Sequence, residues 1–156
     1  MKALVLSDSH GRADNITGAL EREKECVLVF FLGDGEEDLE RVMPRYKERK
    51  FVAVRGNNDF FSTLDDFAYK YAEGNTVVAC HGHTVGVRRS LIELIEKAES
   101  VRANVALYGH THISNCCYDA SFGVYAINPG AICSGSYAVL TLENGAVDVE
   151  FKNIFA

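Results

Sequence analysis

Five short apolar runs in this chain each end in a turn that carries metal-ligating side chains. Leu4-Val5-Leu6 runs into Ser7-Asp8-Ser9-His10, Val29-Phe30-Phe31 leads to Gly33-Asp34, and Val52-Ala53-Val54 leads to Gly56-Asn57-Asn58-Asp59. Val77-Val78-Ala79 precedes His81-Gly82-His83, and Val105-Ala106-Leu107 precedes Gly109-His110-Thr111-His112. These turns hold all five histidines of the sequence. A short apolar run bounded by turn residues reads as a buried strand. The chain is therefore constrained to gather its polar chemistry at strand ends, which is where open α/β sheets place their ligands.

The segments between these turns set the architecture. Residues 2–7, 26–32, 51–55, 76–80 and 104–108 read as strands. Residues 13–23 read as an amphipathic helix with Ile16 and Leu20 four apart. A second helix starts near residue 36, with Leu39, Val42 and Met43 turned inward and Glu36, Glu37 and Asp38 favourable at its N-terminus. Pro44 ends or kinks it, and residues 90–97 form a third helix by the same periodicity. From residue 113 onward, runs near 113–118, 123–127, 136–142 and 146–151 are separated by turns and not by helical patterns. That spacing predicts antiparallel strands. A parallel βα portion followed by an antiparallel portion is accommodated by two sheets packed face to face with helices outside.

A chain of 156 residues is expected to form one domain, residues 1–156. The excess of Asp and Glu gives a net charge of −6, which argues against a protein that holds nucleic acid by bulk electrostatics. No apolar stretch approaches the roughly 20 residues that span a bilayer, and the N-terminus turns polar too soon for a signal peptide. The five cysteines contain no Cys-x-x-Cys pair, a pattern suited to reduced thiols. A soluble, cytoplasmic protein without a membrane partner is the expectation.

Alternate residues of an extended segment point the same way, so Asp8 and His10 can converge on one ion, and His110 and His112 on that ion or on neighbouring ones. A donor set of imidazole, carboxylate and amide oxygen, without thiolate, fits Mn, Fe, Zn, Ni or Co better than a structural zinc site. The candidate ligands exceed what one tetrahedral ion can use. Two ions bridged by a carboxylate and a water are the natural count, with Asp34 as the available bridging carboxylate.

The ordered set Asp8-x-His10, Gly33-Asp34, Gly56-Asn57-x-Asp59, His81 and Gly109-His110-x-His112 resembles the signature of the calcineurin-like metallophosphoesterases. The small size, His81-Gly82-His83 and Asn128-Pro129-Gly130 are similar to the compact YfcE-like phosphodiesterase branch. The resemblance implies an α/β fold, a four-layer αββα sandwich of two mixed sheets flanked by helices. It implies two divalent transition-metal ions, with manganese first among Mn, Ni, Zn, Fe and Co. Asp8, His10, Asp34 and His112 would hold one ion, and Asp34, Asn57, His81 and His110 the other. Asp59 would orient a ligand or a phosphate-contacting group from behind. Two divalent ions, two carboxylates and a bridging hydroxide leave a centre of about +1, attractive to a phosphate ester. In such a centre the hydroxide would attack phosphorus in line.

The broader family often carries histidine directly after the motif asparagine, where this chain has Asn58. An amide donates a hydrogen bond but delivers no proton near neutral pH, so esters with good leaving groups, such as aryl phosphodiesters, are the expected substrates. Asn57, Asn58, His83 and Arg12 are the candidate substrate contacts, with Asn58 and Asp59 in supporting catalytic roles. Arg55 reads better as a surface arginine. The aromatic stretch Phe60, Phe61, Phe67, Tyr69 and Tyr71 reads chiefly as core or subunit contact. A small phosphodiester is the expected partner, and a homodimer or homotetramer is what the resemblance implies. The alternatives are a non-catalytic protein-interaction scaffold of the same fold and a phosphomonoesterase or nucleotide phosphatase.

Overall fold

The computed structural model describes residues 1–156. Its first sheet is built from β1 (Lys2–Leu6), β2 (Leu28–Phe31), β3 (Lys50–Ala53), β9 (Ser136–Glu143) and β10 (Ala146–Asn153), in the order β10-β9-β1-β2-β3. The second contains β4 (Phe67–Ala72), β5 (Asn75–Cys80), β6 (Val105–Leu107), β7 (Asn115–Asp119) and β8 (Val124–Asn128), in the order β4-β5-β6-β8-β7. The helices are α1 (Ala13–Arg22), α2 (Glu36–Val42) and α3 (Ile92–Ser100).

Side-chain alternation along the strands decides which layer each residue faces. In β1, Ala3 and Val5 join Phe30, Val77, Ala79, Leu107, Ile127 and Leu140 in the layer between the two sheets. Leu4 and Leu6 point the other way, against Ile16, Leu20, Leu39 and Val42 of α1 and α2. Val78, Cys80 and Ala106 pack on Leu94 and Ala98 of α3. A strand covered on both faces must be apolar throughout, which is why residues 3–6, 28–31 and 77–80 read as unbroken hydrophobic runs. The result is the four-layer arrangement of helices, sheet, sheet and helix. No helix is long and apolar enough to cross a membrane.

Three expectations need correction. Met43 is exposed and not turned inward with Leu39 and Val42. The strands after residue 113 are not all antiparallel, because β8 pairs in parallel with β6. The chain leaves β6, runs antiparallel along the sheet edge as β7, and returns as β8 into the place between them. A hairpin thus performs the crossover expected of a helix. Of the aromatic stretch only Phe67 packs against a core, the one under α3. Residues 67–72 form the edge strand β4, with Tyr69 and Tyr71 exposed, and Phe60 and Phe61 lie in the loop before it, also exposed. Strand β4 is invisible to hydrophobic periodicity because its side chains are mostly half-buried or exposed.

The parallel strands position the site. β1, β2 and β3 are mutually parallel, as are β5, β6 and β8. The carboxyl ends of five of these strands feed the polar turns and converge on one rim of the sandwich.

Candidate metal centre

The polar turns are locally strained in a consistent way. Asp8, His10, Asp34, His110 and His112 have φ of 59°, 41°, 59°, 69° and 64°, the left-handed region that side chains with a Cβ rarely occupy. Such strain persists only where surrounding structure over-determines it, and it clusters at functional sites. Here backbone hydrogen bonds from Asp8 N to Gly33 O (2.9 Å) and from His10 N to Asp34 O (3.2 Å) lock the first two turns together.

Asp8, His10 and His112 form one triad of donor atoms and Asp34, His81 and His110 a second, the ligand atoms in each lying within 4.8 Å of one another. His112 Nε2 lies 3.2 Å from Asp8 Oδ1, and His10 Nε2 3.5 Å from it. In the other triad, His81 Nε2 lies 3.3 Å from Asp34 Oδ2 and 3.1 Å from His110 Nδ1. The triads adjoin, since His10 Nε2 is 3.8 Å from Asp34 Oδ2 and His81 Nε2 is 3.9 Å from Asp8 Oδ1. Asp8, Asp34 and His81 are buried, whereas His10 and His112 are open to solvent. The centre has a closed floor and an accessible mouth.

Asp8 Oδ1 is buried and has no hydrogen-bond partner. A buried acceptor without a partner costs roughly 1–3 kcal/mol, more if it is charged. Around it converge imidazole nitrogens that face each other in pairs, His10 with His112 at 3.2 Å and His81 with His110 at 3.1 Å. A nitrogen facing another nitrogen at this distance is satisfied by one shared proton or by a cation that both lone pairs coordinate. This donor set of imidazoles and carboxylates fits divalent transition-metal ions, and its six members are all residues expected as ligands.

Asn57, the seventh, follows Gly56 in the turn after β3. Its side chain is exposed and makes no hydrogen bond, while its neighbour Asn58 donates from both backbone N and Nδ2 to Asp34, at 2.8 and 2.9 Å. Burial pushes the Asp34 carboxyl upward, yet the hydrogen bond and charge of His81, with the two donations from Asn58, hold it well below the usual carboxylate range. His81 is pushed down by burial, but Asp34 and Asp8 outweigh this and raise it. Burial and the neighbouring His81 depress both His83 and His110. His83 Nδ1 is buried without a partner, and its ring centroid lies 5.4 Å from that of His81. Arg12 is exposed and unpaired, whereas Arg55 is bound to Asp66 at 3.0 Å.

Three further residues support the ligands; the sequence marks Asn128 only as part of the Asn128-Pro129-Gly130 motif and assigns no such role to Asp38 or Ser7. Asp38, buried in α2, accepts from Ser9 Oγ (2.6 Å) and Gly11 N (2.8 Å), and so fixes the turn that presents His10. Buried Asn128 donates to Gly109 O and Thr111 Oγ1 and accepts from Gly130 N, tying down the turn that presents His110 and His112. Ser7 Oγ donates to Asp8 Oδ2, which also accepts from His110 N at 3.2 Å. Gly109 packs directly on this group. A Cβ there would overlap Ser7 Oγ and lie 2.8 Å from Asp8 Oδ2. Gly109→Ala is expected to destabilise the fold by about 1–3 kcal/mol and to lower metal affinity by roughly 10–100-fold. Thermal melting with a metal titration of the same variant checks both.

The calcineurin-like phosphoesterase superfamily domain is matched over residues 1–145. The chain belongs to the calcineurin-like phosphoesterase superfamily. A probable metallophosphoesterase of Bacillus subtilis, YsnB, is 35% identical to this superfamily member, covering 97% of this chain and 90% of its own. A conserved predicted phosphoesterase from Streptococcus pneumoniae shares the fold with a TM-score of 0.83 at 23% identity, covering 99% of this chain and 90% of that one. Zinc-complexed Vps29 from Entamoeba histolytica shares it with a TM-score of 0.75 at 18% identity, covering 99% of both chains.

Proposed function

We propose that this superfamily member hydrolyses small phosphodiesters at a centre of two divalent cations, with manganese as the first candidate metal. The observation that carries the reading is the pair of adjoining triads around the unpartnered Asp8 Oδ1. Asp8, His10, Asp34 and His112 would hold one ion, and Asp34, Asn57, His81 and His110 the other. When bound, such ions act as Lewis acids on the phosphoryl oxygens and lower the pKa of water enough to supply a hydroxide nucleophile.

The chain's own residues supply orientation. Asn58 holds both carboxylate oxygens of Asp34. Leu32 O lies 2.7 Å from His81 Nδ1, which leaves Nε2 facing the centre; fixing a ligand imidazole through its other nitrogen is the usual role of such an outer contact. Arg12, exposed beside the His10 turn, is free to meet a phosphate anion. Because the Asn58 amide is engaged with Asp34 and delivers no proton, the leaving alcohol departs without a donor at this position. That favours aryl over alkyl esters.

Metal-stripped protein, resupplied separately with Mn, Ni, Zn and Mg, is the test. Activity on bis-p-nitrophenyl phosphate should return with a transition metal, exceed that on p-nitrophenyl phosphate, and exceed that on alkyl diesters. A faster monoester would favour a phosphomonoesterase. Metal binding without turnover of any ester would favour the scaffold reading.

A further inference from the structure

We propose that Phe60 and Phe61 form a stacking platform for a planar aromatic group carried by a singly charged phosphodiester; the inference rests on the phosphodiesterase reading above. Both rings are on the surface, at 77% and 103% of full exposure. Phe61 also has a φ of 63°, a conformation costly for a bulky side chain. Two adjacent phenyl groups kept in water on a tightly turned loop bring nothing to the core of this fold.

Their placement supplies a purpose. A cleft of about 630 Å³ is lined both by His10, Asp34 and Asn58 of the metal centre and its support and by Phe60 and Phe61. The loop that carries them hangs on Asp59, whose carboxylate accepts from the backbone N–H groups of Asp34, Gly35, Glu36 and Gly56. Centre and rings are thus held by one anchor, so a phosphate at the centre and its ester group on the rings have a defined separation.

The remaining wall narrows the substrate class. It carries Glu36, Glu37 and Glu40, and its one cation, Arg41, is occupied by Glu37 at 2.9 Å. A nucleic-acid strand or a nucleoside polyphosphate would bring several negative charges against these carboxylates. A diester with a single charge and one aromatic alcohol does not. An aryl ring and a nucleobase offer the same flat π-face, which stacks on phenyl rings with little regard to identity.

The test uses manganese-loaded protein and three monoanionic, poorly hydrolysed probes, namely methyl phenylphosphonate, the 5′-thymidyl ester of methylphosphonic acid, and methyl methylphosphonate. Calorimetric titration should show at least one aromatic probe binding about tenfold tighter than the methyl probe, the size of one stacking contact. Preference for the thymidyl probe points to a nucleoside substrate, and preference for the phenyl probe to a simple aryl ester. In F60A/F61A the advantage should vanish while the methyl probe binds within about twofold of wild type. Equal binding of all three probes to wild type, or an advantage that survives in F60A/F61A, overturns the platform. So does an unchanged advantage accompanied by loss of a dimer in sedimentation, which makes the loop a subunit contact. Because binding is read directly, absence of phosphodiester hydrolysis with a normal aromatic advantage would reject the activity and not the platform.

Discussion

Asp34→Asn is expected to leave at most one metal ion bound per chain and to lower turnover of bis-p-nitrophenyl phosphate by on the order of 10³-fold. The reason is position. Asp34 reaches from its own triad to the other, 3.3 Å from His81 Nε2 and 3.8 Å from His10 Nε2, much as Asp8 does at 3.9 Å from His81 Nε2. It is buried, and it accepts two hydrogen bonds from Asn58. An amide of the same shape brings no negative charge to hold two cations together. It also places an NH2 where an oxygen accepted, so at least one Asn58 donor loses its partner. Metal content by elemental analysis, read beside the hydrolysis rate, separates a lost ion from a misfolded chain. Two bound ions with wild-type turnover would reject the bridging role.

Asp59→Ala should produce the second largest effect, in stability as well as in activity. Its two oxygens accept four backbone hydrogen bonds, from Asp34 N and Gly56 N at 2.8 Å, Gly35 N at 2.9 Å and Glu36 N at 3.0 Å. It therefore joins the turn after β2 to the turn after β3. Removing the carboxylate leaves four N–H groups without a protein acceptor. Water reaches this partly exposed loop and replaces some of them, so the cost is about 3 kcal/mol and not the full sum. The Asp34 backbone loses its anchor as well, and metal affinity should fall by roughly 10–100-fold. Urea unfolding of the metal-free protein measures the first effect and a metal titration the second. Asp59→Asn, which keeps one acceptor oxygen, should fall between. Wild-type unfolding of Asp59→Ala would show that the two turns are held elsewhere.

Most of the fold is legible along the chain because the strands are covered on both faces. Leu4-Val5-Leu6 and Val77-Val78-Ala79 could only be buried strands, and the i, i+4 pair Ile16 and Leu20 marks α1 without ambiguity. The helix start at Glu36 and its end by Pro44 follow from local chemistry and are observed. What local chemistry does not carry is which strand lies beside which. Nothing in residues 113–128 distinguishes a parallel β8 from an antiparallel one, because the choice depends on the place left open next to β6. The exposed face of β4 conceals that strand for a similar reason, since a half-wet edge needs no apolar alternation.

The site divides along the same line. Residue type and order single out Asp8, His10, Asp34, His81, His110 and His112, because a metal centre requires those donor atoms whatever the backbone does. The roles of their neighbours depend on turn geometry. The motif marks Asn57 as a ligand candidate, but nothing along the chain shows that Asn58 binds the Asp34 carboxylate. Asp38 reads as an ordinary acidic residue in the first turn of α2, and Asn128 as part of a turn; only in three dimensions do they brace the ligand turns after β1 and β6. The sequence by itself determined the donor atoms and the strands that deliver them, since both follow from composition and spacing along one segment. Tertiary structure alone decided which oxygen is left unpartnered, which asparagine binds the Asp34 carboxylate and where the two exposed phenylalanines stand, because each depends on distances between segments far apart in the chain.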